Sequence, residues 1–212
     1  MGDLVSFSLV AFSAIFFIVD PFAVVPVFIA MTQGDSEEKR RAMAKRACII
    51  AGITLLFFAF GGSILFKLLG ISIGAFKIAG GVLLLLTALE MLQSRTSATR
   101  TSAQEIEEGA GKQDIAVVPL AIPLLSGPGS IATVMVLTAQ SERWWEMIPI
   151  SLSIVLTAAL SFLVLRAASF LDRVLGKSGQ AIITRVMGLL LAAIAVEFIM
   201  NGLKESFPKV LG

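Results

Sequence analysis

Six apolar runs, separated by polar, charged or proline- and glycine-bearing segments, organise the chain: Leu4–Val19, Ile49–Phe66, Ile78–Leu89, Ile115–Leu125, Ile148–Leu165 and Leu189–Phe198. With its flanks, each reaches the roughly 20 residues that a helix rising 1.5 Å per residue needs to cross a bilayer. In hydrocarbon every backbone polar group must be paired within the structure, so uninterrupted runs of this kind are helices. The short alternating segments of a membrane β-barrel are not visible. The pattern predicts an all-α membrane protein with six transmembrane helices. The first run follows Met1–Asp3 without a basic segment and ends at Asp20-Pro21 rather than at small residues, so it reads as the first span and not as a cleaved leader.

The longest polar stretch, Gln93–Asp114, divides the spans three and three. It is rich in Ser, Thr, Ala, Glu and Gly, and its few apolar residues cannot build a core, which predicts a flexible linker. The chain then divides into a first three-helix repeat at 1–92, a linker at 93–114 and a second repeat at 115–212. The halves share a register. Pro21 and Pro128, Gly81 and Gly188, and Glu90 and Glu197 are each 107 positions apart. A repeat with an odd number of crossings re-enters the membrane from the opposite side, so duplication predicts two inverted three-helix repeats.

Five of the seven prolines fall in two spans: Pro21 and Pro26 in the first, Pro119, Pro123 and Pro128 in the fourth. Proline lacks the N–H of the helical ladder and clashes with the preceding turn. In Val19-Asp20-Pro21-Phe22, Asp is a favoured N-cap and Pro a favoured first helical residue, which is a stop-and-restart signal inside an apolar run. Ser126-Gly127-Pro128-Gly129 repeats that signal in span 4. Helices 1 and 4 are therefore expected to be discontinuous near the bilayer midplane. Irregular backbone at that depth survives where it is buried in protein or lines a cavity. Each restarted half-helix directs an N-terminus, with free N–H groups and a positive dipole end, into the protein. The pattern suits an amphoteric small molecule, whose carboxylate takes the N–H groups and whose ammonium takes carbonyls before the breaks. Plain proline kinks without a ligand are the alternative. Ser126, Ser130 and Thr133 can donate to a ligand or, as is common for membrane helices, to their own backbone. Asp20 is the deepest carboxylate, either a functional acid or the cap of its own half-helix. Glu197 is a second acid within an apolar helix.

Charge supplies an orientation. The connections after spans 1, 3 and 5 carry twelve of the 17 Lys and Arg residues, and Lys67, Lys77, Arg143, Lys204 and Lys209 lie on the other side. The richer side is expected to be cytoplasmic, which leaves both termini outside. Trp144 and Trp145 precede span 5 where an outer aromatic belt is expected. With no His and a single Cys, Cys48, the chain has no His-based zinc site, internal disulfide or Ser-His-Asp triad. No metal or cofactor is implied. The net charge of +2 gives no footing for nucleic acid. Asp20 is the one Asp deep in a span, so the paired carboxylates of an aspartyl protease are missing and an enzyme is not expected.

VDPFAVVPVF in span 1 and PLAIPLLSGPGSI in span 4 resemble the paired signatures of the MarC family of integral membrane proteins, and the likeness extends over nearly the whole chain. Asp20, Pro21 and Pro26 match the first signature, with Ala23 and Val24 standing where Gly and Asn are usual. The resemblance implies a cytoplasmic-membrane carrier of small neutral amino acids such as glycine and alanine, coupled to protons. Its substrate site would comprise Asp20, Pro21, Phe22, Ser126, Gly127, Pro128, Gly129 and Ser130, with Asp20 and Glu197 as candidates for coupling. The expected partners are the amino acid and the lipid bilayer. A channel or a carrier of another small solute is compatible with the same residues.

Overall fold

A computed structural model describes residues 2–32, 34–93, 116–141 and 144–207. The described residues are helical, with no strand among them. The linker expected at 93–114 lies, apart from Gln93, outside them.

The first apolar run forms α1 (Gly2–Val19), and the chain restarts at once as α2 (Pro21–Met31). Next comes α3 (Glu37–Leu69), whose 33 residues span about 50 Å at 1.5 Å each and outrun the apolar thickness of a bilayer. The surplus is the charged first third, where the Ser36 hydroxyl accepts from Lys39 N–H at the helix start. Gly70, at φ 65°, turns the chain after α3. The following helix, α4 (Ile73–Leu92), is capped by the Ser72 hydroxyl, which accepts from Ala75 N–H.

Where Pro119 and Pro123 remove donors, α5 (Ala116–Leu125) takes the wider π geometry, and Ser126 N–H donates five residues back to Ala121 O at 2.9 Å. The second restart is α6 (Pro128–Gln140). A 3₁₀ turn at Trp144–Glu146 leads into α7 (Met147–Arg166). The last helix, α8 (Ala168–Ser206), is interrupted at Gly176, whose φ of 56° an L side chain adopts only with strain.

Among the described residues, five stretches are long and apolar enough to cross a membrane: Leu4–Met31, Glu37–Gly62, Ile73–Leu92, Trp144–Arg166 and Ala181–Ser206. The fourth run and the residues that follow it are instead divided into the 10 residues of α5 and the 13 of α6, each too short to cross alone.

Packing places the broken helices inside. Ile15, Val19, Phe28, Leu120, Leu125 and Ile154 form one core with the small residues Ala44, Ala47 and Ala51 of α3. A second core joins Ile18 of α1 to Leu84, Val136, Leu191 and Ala195. Large apolar side chains point outward as well: Phe57 is 66% exposed and Leu189 64%. That inside-out surface suits lipid as solvent.

Helices α4 and α8 pack along each other through glycine. A Cβ on Gly81 would lie 2.6 Å from Ile199 Cγ1 and 2.8 Å from the Ala195 carbonyl oxygen. One on Gly188 would lie 2.9 Å from Met91 Cβ and 3.1 Å from the Ala88 carbonyl oxygen. Gly188 and Ala195 are the positions 107 beyond Gly81 and Ala88, so the two contacts exchange under the register read from the sequence. At one end of this pair the Lys77 ammonium meets the Glu205 carboxylate at 2.6 Å. Lys77 is therefore ion-paired and largely buried.

Candidate functional site

The first break is a single residue. Asp20 stands at φ 43° and ψ 70°, the left-handed region that Asp and Asn tolerate best among residues with a side chain. Its N–H closes α1 by donating to Phe16 O at 3.0 Å, and its carboxylate Oδ1 accepts from Ala23 N–H at 3.3 Å. Pro21 follows as the first residue of α2. One fully buried carboxylate thus ends one helix and caps the next. The capping role is observed at the residue where a functional acid is the other reading. Phe22, half-buried, packs edge-to-face on Phe16 with ring centres 6.4 Å apart. Ala23 supplies the capped N–H, and Val24 is buried in the core.

The second break has the same plan with one substitution. Gly127, 107 positions after Asp20, is the N-cap of α6 at φ −71° and ψ 174°, and Pro128 is again the first helical residue. No side chain caps this helix. Proline has no N–H, so the leading uncapped donors are those of Gly129 and Ser130. The nearby hydroxyls are turned to carbonyls. Ser126 Oγ donates to Ala121 O at 2.9 Å, Ser130 Oγ to Leu125 O at 3.3 Å, and Thr133 Oγ1 to Gly129 O at 2.9 Å. These hydrogen bonds occupy the one donor each hydroxyl has, and the oxygens retain acceptor capacity.

A cavity of about 150 Å³ opens against this N-terminus. Gly127, Pro128, Gly129 and Ser130 form one wall, and Ile18 of α1 with Leu83 and Thr87 of α4 form the other. At Gly129 the broken helices lie close together, since a Cβ there would lie 3.0 Å from Ile18 Cδ1. Four of the residues expected from the sequence are thereby brought together around one cavity. Ser126 is buried beside it, and Asp20 follows Ile18 by two positions.

Glu197 is not brought there. It lies on the exposed face of α8 and accepts from Asn201 Nδ2 at 3.1 Å. Ile18, Leu83 and Thr87 were missed by sequence reasoning. Leu83 and Ile18 look like any apolar helix residue, whereas Thr87, a buried polar residue in the middle of LLLLTALEML, is a signal that can be read.

Residues 5–207 match the sequence pattern of the MarC family, described as MarC family integral membrane proteins. Among similar chains, the UPF0056 membrane protein MJ1677 of Methanocaldococcus jannaschii is 44% identical over 92% of this chain and 95% of its own. A UPF0056 membrane protein of Aquifex aeolicus is 40% identical over 92% and 91%. The UPF0056 membrane protein YvbG of Bacillus subtilis is 37% identical over 96% and 97%. No solved structure matches the chain.

Proposed function

The chain belongs to the MarC family of integral membrane proteins, and on that footing we propose that it is a secondary transporter of small neutral amino acids of the glycine and alanine type. The observation that carries this reading is the difference between the two restarted helices. The N-terminus of α2 holds a resident carboxylate, Asp20, while α6 has Gly127 at the equivalent position and a cavity where a carboxylate would sit. A substrate carboxylate there takes the N–H groups of Gly129 and Ser130 and the positive end of the helix dipole. A cavity of about 150 Å³ admits a ligand with little side chain, and its Ile18 and Leu83 walls favour an apolar one.

In this proposal α5 and α6 together make a sixth crossing, and the chain is two inverted three-helix repeats. The exchange of the Gly81 and Gly188 contacts under a shift of 107 supports that arrangement. The twelve basic residues of the odd-numbered connections support an orientation with those connections in the cytoplasm and both termini outside. Rocking of one repeat on the other exposes the cavity alternately to the two sides. Coupling is assigned to a proton carried by Asp20, with exposed Glu197 as the second carboxylate to test. The membrane is the cytoplasmic one, in keeping with bacterial and archaeal relatives.

The test is exchange of radiolabelled glycine and alanine into proteoliposomes loaded with unlabelled amino acid. Saturable exchange is expected. Linear flux that does not depend on trapped substrate would instead make the protein a channel. No flux of glycine, alanine or serine by folded protein would remove the amino acids as substrates.

A further inference from the structure

Where α2 and α7 finish and α3 and α8 begin lies a cavity of about 790 Å³, large enough for a small-molecule group. Four arginines line it: Arg40 and Arg41 from the first turns of α3, Arg166 from the end of α7 and Arg173 from the start of α8. None of them makes an ion pair or a side-chain hydrogen bond among the described residues. The Arg40 guanidinium carbon lies 5.8 Å from the centre of the Phe28 ring, a cation–π contact that holds the group and leaves its N–H donors free. Glu37 and Glu38 also line the cavity, in the first turn of α3 where the helix dipole favours acids. Four positive charges against two negative leave the lining net positive.

A groove continues the cavity along the seam of α3 and α7. Lys45 lies one turn beyond Arg41, and Phe162 one turn before Arg166, so each pair shares a helix face. Ile49, Ile53 and Leu56 of α3 with Val155, Ala158 and Phe162 of α7 line this groove, whose volume is about 370 Å³ and whose lining is apolar apart from Lys45. Small residues bring the two helices together along it, since a Cβ on Gly52 would lie 3.4 Å from Ala158 Cβ. Ile53 is 61% exposed, so the groove is open on its outer side. From Lys45 to Leu56 it runs about 16 Å at 1.5 Å per residue, half of a hydrocarbon core roughly 30 Å thick and so the depth of one leaflet.

We propose that cavity and groove together hold one anionic glycerophospholipid, its phosphodiester among Arg40, Arg41, Arg166 and Arg173 and an acyl chain between α3 and α7. Guanidinium pairs bidentately with phosphate oxygens, and basic pockets at a membrane surface take such headgroups. Glu37 and Glu38 supply acceptors for the hydroxyls of a glycerol headgroup. Phe170, which also lines the cavity, is 65% exposed, an apolar rim suited to the boundary between headgroups and chains. The site stands apart from the cavity at the α6 N-terminus and does not depend on what the protein carries. It joins α2 and α3 to α7 and α8, so a bound lipid fastens the first half of the chain to the second.

The experiment is thermal unfolding of delipidated full-length protein in nonionic detergent. Phosphatidylglycerol, phosphatidylcholine with the same chains, or inorganic phosphate is added at equal concentration. Phosphatidylglycerol is expected to raise the melting temperature saturably, and the other two to leave it nearly unchanged. Arg41→Gln and Arg166→Gln should each raise the half-saturating concentration about fivefold or more, the contribution of one basic residue to an anionic lipid. Ala159→Phe, which fills the groove from its exposed side, should also raise it. Lys39→Gln, which removes an equal charge outside the cavity, should respond as the parent does. Each variant is referred to its own melting curve in phosphatidylcholine, so a general loss of stability does not mimic the effect. Equal shifts from the two lipids, or an undiminished phosphatidylglycerol shift in Arg41→Gln and Arg166→Gln, would overturn the proposal. So would an equal shift from inorganic phosphate, which would make the cavity a site for a free anion. A dimer in light scattering that Ala159→Phe converts to monomer would seat a second copy in the groove and overturn it too. Failure of glycine exchange alone leaves the lipid result unaffected.

Discussion

Replacing Gly127 by Asn tests the reading of the second break most directly. At φ −71° and ψ 174° the position has ordinary extended N-cap geometry, which Asn adopts without strain. Its side-chain oxygen can accept from Gly129 or Ser130 N–H, much as Asp20 Oδ1 accepts from Ala23 N–H in α2, but without adding a buried charge. Helix α6 gains a cap, and relative to Gly that is worth a few tenths of a kcal/mol, so the melting temperature should hold or rise slightly. The substrate loses what the cap takes. One hydrogen bond to a charged group contributes about 1.5–3 kcal/mol, so glycine affinity should fall roughly 10- to 150-fold. Saturation of glycine exchange in proteoliposomes, beside melting curves for the same preparations, reads both quantities. A Gly127→Asn protein that stays folded and exchanges glycine with unchanged affinity would refute the assignment of the α6 N-terminus as the carboxylate site.

Other substitutions separate the roles of neighbouring residues. Asp20→Ala loses a cap and places Ala in the left-handed region, costing about 2–4 kcal/mol, whereas Asp20→Asn should keep stability; both are read by thermal unfolding. If Asp20 carries the coupled proton, Asp20→Asn should retain glycine exchange and lose uptake driven by a pH gradient, and Glu197→Gln should be compared with it in the same vesicles. Gly129→Ala pushes Ile18 Cδ1 from 3.0 Å into a cavity of about 150 Å³, so inhibition by alanine should weaken more than inhibition by glycine in a competition assay. Its stability should hold, because the terminal methyl of Ile18 can move. Gly81→Ala and Gly188→Ala put a methyl against helix backbone, at 2.8 Å and 3.1 Å from a carbonyl oxygen, and each should destabilise by about 1–3 kcal/mol in the same melting assay.

Much of this molecule follows from local chemistry and was therefore legible in the chain. Apolar runs of span length in a medium without water must be helices, and proline with a capping residue before it must interrupt them. Asp20-Pro21 and Gly127-Pro128 mark the restarts at the residues where α2 and α6 begin. Gly81 and Gly188, which the register of 107 positions pairs, occupy exchanged contacts between α4 and α8. The stretches Glu37–Gly62, Ile73–Leu92 and Ala181–Ser206 contain no proline and each lies within one helix, whereas Leu4–Met31 restarts at Asp20-Pro21 and the fourth run with its flank restarts at Gly127-Pro128.

Only packing decided which faces meet. Ile18, Leu83 and Thr87 close the cavity because α1 and α4 lie against α6, a relation between segments far apart in sequence that no periodicity encodes. Glu197 matched Glu90 in register yet faces outward, since the side of a helix that a residue occupies gains meaning only when neighbours cover it. Thr157 and Ser161, whose buried hydroxyls have no hydrogen-bond partner among the described residues, are of the same kind. In sequence they are two small polar residues on an apolar helix, and only the packing of α1, α3 and α5 against α7 buries them beside one small void.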